Sequence, residues 1–124
     1  MQHMPIFQSA LENTSYRKAI FTHSSSQVLL MSLNPSEDTG VATYESDSLY
    51  FVVSGAGMAG VAGEEQVLTV GDMVVAPASQ EHVIMNSGKD NLKLIAVFAP
   101  KQFREDLSEG SRSAAIMDPY NAAS

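Results

Sequence analysis

The 124-residue sequence contains no cysteine. Disulfides, thiolate metal sites and cysteine nucleophiles are therefore excluded, and a reducing cytoplasm is the expected compartment. Basic residues are scarce: seven Lys and Arg stand against fourteen Asp and Glu, a net charge of −7. A surface that acidic repels phosphate backbones and anionic lipid heads, so nucleic acid and membranes are poor candidate partners. No apolar run approaches the roughly 18 residues that cross a bilayer. The first ten residues lack a basic start followed by an apolar stretch, so no signal peptide is expected. Histidine is rare as well, with three copies at His3, His23 and His82.

Apolar residues make up 44% of the chain, the level of an ordinary globular domain. They fall in short runs: 18–22, 28–33, 49–53, 67–70, 73–76, 82–86 and 92–98. Each is four to seven residues long and rich in Val, Ile, Leu, Tyr or Phe, which is the length and composition of strands. Turn residues separate them at Asn34-Pro35, Asp38-Thr39-Gly40, Gly71-Asp72, Pro77-Ala78-Ser79 and Ser87-Gly88. Strands with turns at that interval predict an all-β sandwich or barrel. In the run 48–53 both faces carry apolar residues, which predicts an interior on one side and other protein on the other. That cover is the N-terminal arm or a second subunit. Residues 1–15 are expected to be an extended or irregular lead-in. One domain is expected over 1–103, with a barrel at about 16–100. The polar stretch 104–124 is expected to be a flexible tail that adds little to the core.

Gly55-Ala56-Gly57-Met58-Ala59-Gly60 spells GxGxxG. A dinucleotide fold needs a helix to start within that motif, and another glycine followed by a β-like run leaves no room for one. The stretch is expected to be a glycine-rich hairpin turn.

A more specific pattern lies downstream. Gly71 is followed after five residues by Pro77, after four more by His82, and after three more by Asn86. This run resembles the second conserved motif of the cupin family, except that Ser79 stands where the family usually has glycine. Val52-Val53-Ser54-Gly55 resembles the end of the first motif. The segments 28–35 and 92–100 resemble those of small single-domain bacterial cupins. The resemblance, over about 16–100, implies a cupin-type double-stranded β-helix, or jelly-roll barrel. It also implies that His82 points into the barrel, where cupins use it as a metal ligand, and that Asn86 helps fix the turn.

Counting back from Gly55, the family's other ligand positions hold Ser48, Tyr44 and Ala42. One imidazole and two phenols do not make a first-row metal site, which takes three or four N, O or S ligands. No metal and no other cofactor is expected. Tyr44, Ser48, Tyr50, His82 and Asn86 are the expected cavity residues, and the expected function is binding of a small molecule inside the barrel. The alternative is a metal-free isomerase, epimerase or dehydratase. In it His82 and Tyr44 act as acid and base, since imidazole titrates near neutrality and a phenol can protonate an oxyanion. A conventional metal-dependent cupin is the third reading. A homodimer is expected, through the apolar outer face of Leu49, Phe51 and Val53.

Overall fold

The computed structural model describes residues 1–112. A short helix, α1 (Ile6–Glu12), leads into nine strands: β1 (Arg17–Thr22), β2 (Gln27–Leu33), β3 (Asp47–Ser54), β4 (Gly57–Val61), β5 (Glu64–Leu68), β6 (Met73–Ala76), β7 (His82–Asn86), β8 (Leu92–Ala99) and β9 (Ser108–Glu109). They form a six-stranded sheet, β6-β3-β8-β2-β1-β9, and a three-stranded sheet, β5-β4-β7. Every pairing is antiparallel. The all-β jelly-roll expectation is met.

Strand β8 shows how the pattern makes the fold. Leu92, Leu94, Ala96 and Phe98 are buried, and the residues between them are half-buried. Period-two alternation sends the first set to the interior between the sheets. The ladder places Phe98 beside Ser48, Ala96 beside Tyr50 and Leu94 beside Val52. Those three β3 residues therefore share the inward face, while Asp47 stays exposed.

The outer face of the large sheet is covered by the chain itself. Ala10 of α1 is buried against Leu30 and Val53, with Ile6, Ile20 and Ile95 around it. Residues 6–12 are thus helical, not an irregular arm, because folding one apolar side onto the sheet removes these side chains from water. A fully buried aliphatic side chain gains about 2 kcal/mol in this way.

Two more expectations are corrected. The glycine-rich run is a turn only at Gly55 and Ala56, and from Gly57 it is strand β4. A Cβ on Gly57 would sit 2.6 Å from the Met85 carbonyl oxygen, so the neighbouring strand requires glycine there. The stretch after residue 104 does add to the core. Leu107 and Glu109 are buried, and β9 pairs with β1. The Glu109 carboxylate meets the Arg17 guanidinium at 2.6 Å, and a buried cation of that kind needs such a partner. The remainder of the predicted tail, 113–124, lies outside the described residues.

The cupin-like turn is explained by backbone geometry. Gly71 has φ +94, a region that favours glycine. Ser79 has φ +69 and so keeps the left-handed conformation of the glycine it replaces. Its amide donates to the Tyr44 carbonyl at 2.7 Å.

Candidate functional site

Four of the five predicted cavity residues gather at one end of the interior. Strand β3 brings Ser48 and Tyr50, β7 brings His82, and the loop before β3 brings Tyr44. All four are buried. Asn86 is at the far end of β7. Its amide donates to the carbonyls of Leu33 and Asp90, and its side-chain oxygen accepts from the Gly88 amide. With its donors shared between the end of β2 and the 86–91 loop and its acceptor taken by that loop, it is a turn-fixing residue and not part of this cluster.

The phenol that bonds His82 is Tyr50. Its Oη lies 3.1 Å from His82 Nε2, while His82 Nδ1 lies 3.2 Å from the Gln80 carbonyl oxygen. A carbonyl can only accept, so Nδ1 carries the proton and Nε2 accepts from the tyrosine O–H. The predicted His82–Tyr44 pair is replaced by His82–Tyr50. Tyr44 instead sets its ring edge-to-face on the imidazole, with centroids 5.2 Å apart. The Arg17 guanidinium lies near enough to its hydroxyl to favour the phenolate. Sequence spacing places both phenols inside, but the facing of β3 against β7 brings Tyr50 to the imidazole while Tyr44 enters from the loop before β3.

Burial pulls the His82 pKa below its usual 6.5, partly opposed by the Gln80 carbonyl. The ring is therefore neutral at pH 7. Burial also raises the pKa of Tyr50 strongly, the nearby Tyr44 adding to this and Ser48 opposing it. Tyr44 is raised by burial and lowered by Arg17. Both phenols are fully protonated at neutral pH.

Around these groups lies an aromatic cluster the sequence reading missed. Phe98 and Phe103 pack edge-to-face with Tyr44, and the Arg17 guanidinium lies 4.6 Å from the Phe103 ring centroid. Gln27, fully buried, fixes this segment by accepting from the amides of Gln102 and Phe103. Its cue in the sequence is a lone amide opening an otherwise apolar strand.

Ser48 Oγ is fully buried. It lies near enough to Tyr50 to ease phenolate formation, yet no hydrogen bond of acceptable geometry satisfies it. An unsatisfied buried hydroxyl costs about 1–3 kcal/mol.

The donor set does not fit a divalent metal. His82 Nε2 is engaged by Tyr50, and the residue directly beside His82, Ala42, exchanges two backbone hydrogen bonds with it and offers only a methyl. The remaining side-chain oxygens of the cluster are neutral hydroxyls, and a first-row metal site is built on carboxylate, thiolate or imidazole ligands. Among the described residues no three His, Asp or Glu side chains gather to hold a metal ion. Nor is any described helix long and apolar enough to cross a membrane.

Next to the cluster, a cavity of about 470 Å³ opens between the β4–β5 hairpin and β6. Ala59, Val61, Val74 and Pro77 form its apolar part, and Gln80, whose carbonyl holds His82, lies on its wall.

Comparison with known proteins agrees with this architecture. A family model described as Cupin domain matches residues 29–98. An uncharacterized protein of Acanthamoeba polyphaga mimivirus is 32% identical over 98 residues, 75% of this chain and 61% of the viral protein. The uncharacterized protein YrkC of Bacillus subtilis is 28% identical over 102 residues, 77% of this chain and 55% of YrkC. The chain thus spans between half and two thirds of these relatives. A crystal structure from Bacillus halodurans superposes with a TM-score of 0.92 over 94% of both chains at 23% identity, a likeness of fold.

Proposed function

The chain belongs to the cupin family, and on that premise we propose that it binds a small organic molecule in the barrel without a metal ion. The observation that carries this reading is the His82–Tyr50 hydrogen bond. It occupies the one imidazole nitrogen that would face a metal, while a cavity large enough for a small ligand is walled in part by Gln80, whose carbonyl holds the same imidazole. The unpaired Ser48 hydroxyl, fully buried in the same interior, leaves a polar group that an internal water would satisfy.

A metal-free acid–base enzyme is the second reading, favoured by the 3.1 Å contact and the fixed tautomer. Its pair is His82 with Tyr50 in place of Tyr44. Against it, the tyrosine proton points at the imidazole, and both groups are buried. Binding is therefore the better fit to the geometry.

The proposal extends to a cytoplasmic homodimer. The cysteine-free composition suits a reducing compartment. Helix α1 covers Val53 but leaves Leu49 and Phe51 half-buried, and Met73 and Val75 of the edge strand β6 are exposed. These apolar side chains suit contact with a second copy.

Metal analysis of the purified protein, with thermal unfolding before and after chelator, tests the reading. We expect far less than one divalent ion per chain and an unchanged midpoint. One tightly held ion per chain, with a midpoint that collapses when it is removed, would overturn the proposal.

A further inference from the structure

The two sheets are closed unequally. On one side the segment after β8 acts as a strap. It is held by Gln27, pairs with β1 through β9, and is fastened again where Arg112 donates to the Asp38 carbonyl at 2.6 Å. On the other side β5 and β6 are both sheet edges, and among the described residues no ladder joins them. The 470 Å³ cavity lies in that open seam.

The charge of the seam is one-sided. Between Lys18 and Lys89 the sequence has eight carboxylates and no lysine or arginine. Strands β4, β5 and β6 and the loops between them all fall within that interval. The cavity wall accordingly carries Glu64, Glu65, Gln66 and Gln80 around its apolar part, and no cation. Carboxylates at the rim attract a positive charge and repel a negative one. Apolar walls take up a hydrocarbon body.

Resting on the small-molecule reading above, we propose that this cavity takes an organic ammonium: a compact apolar body inserted between β4 and β6, with a positively charged nitrogen held by Glu64, which shares the inward face of β5 with Gln66 and Leu68, while Glu65 on the opposite face adds to the negative field at the rim. Carboxylates and phosphates are rejected. Both glutamates are exposed, so neutralising them leaves the fold intact.

Three probes of one shape and different charge test this: benzylammonium, benzyl alcohol and benzoate. Each is titrated at pH 7.5 and low salt while the amide signals of Ala59, Val61, Val74 and Gln80 are followed by NMR. Benzylammonium should shift them with an affinity at least about 3-fold above benzyl alcohol and about 10-fold above benzoate, as a charge within a few ångströms of carboxylates in wet surroundings requires. The Glu64→Gln/Glu65→Gln variant, or 0.5 M salt, should erase the preference and leave benzyl alcohol unchanged. Equal binding of benzylammonium and benzyl alcohol, or tighter binding of benzoate, overturns the charge assignment while the small-molecule reading stands. Silence of these amides toward all three probes overturns both.

Discussion

Tyr50 and His82 are joined at 3.1 Å across the barrel, from β3 of one sheet to β7 of the other. The bond satisfies two polar groups that burial would otherwise leave costly, and it fixes the imidazole as a neutral acceptor. It also engages the imidazole lone pair on Nε2, the nitrogen that faces the interior.

The first consequence is a pH dependence of stability. The folded pKa of His82 lies below its ordinary 6.5, so the unfolded chain takes up the proton first as pH falls. The stabilisation is present above about pH 6.5 and is lost below it, by at most about 1.4 kcal/mol per pH unit until the folded ring itself protonates. Urea unfolding at pH 7.5 and 5.5 should show a lower midpoint at 5.5. His82→Gln should shrink the difference, and an undiminished difference would exclude this histidine as its source.

Ser48→Ala should leave the ligand-free protein unchanged or stabilise it by up to about 1 kcal/mol, because it removes a buried hydroxyl that has no partner. If that hydroxyl serves a ligand, the same variant should bind less tightly. A loss of more than 1 kcal/mol in the ligand-free protein, measured by denaturant titration, would show that the hydroxyl is already satisfied.

The Arg17–Glu109 pair should behave as a buried ion pair. Glu109→Ala strands a guanidinium among Tyr16, Tyr44 and Phe103 and should cost about 3–5 kcal/mol. The double variant Arg17→Met/Glu109→Leu should recover most of that loss. Equal destabilisation of the single and double variants would mean that packing, not charge, holds β9 in place.

Ser79 sets up a backbone test. A non-glycine residue in the left-handed region carries strain of order 1 kcal/mol. Ser79→Gly should therefore raise stability by up to about 1 kcal/mol after the entropy glycine adds to the unfolded chain. Ser79→Val should lower stability by more than 1 kcal/mol, since a β-branched side chain tolerates this conformation least. Indifference to both changes would show that the turn relaxes at no cost.

Much of the barrel could be read directly. The apolar runs became β1, β2, β3, β6, β7 and β8 within a residue or two, because alternation in a half-buried strand is written into side-chain order. The elements that escaped are those whose local signal is weak. Strand β4 is Gly57-Met58-Ala59-Gly60-Val61, poor in β-branched residues because the backbone of β7 and the Leu92 side chain leave no space for a larger residue at Gly57. Helix α1 has no side-chain cap and only seven residues, so its contact with Leu30 and Val53 makes it form. Strand β9 is two polar residues, ordered by an arginine more than ninety positions away.

The order of residues by itself determined the kind of fold, the inward set on β3 and a single histidine, His82, among the strand segments of the barrel. Periodicity and turn chemistry are local, and local rules suffice for them. Tertiary structure alone decided that Tyr50 rather than Tyr44 bonds His82, that Asn86 serves a loop, that a buried ion pair closes one side of the barrel, and that the other side opens as an acidic cavity. Those outcomes depend on how far two twisted sheets stand apart and on which distant side chains they bring within hydrogen-bond reach, and no spacing along the chain encodes such distances.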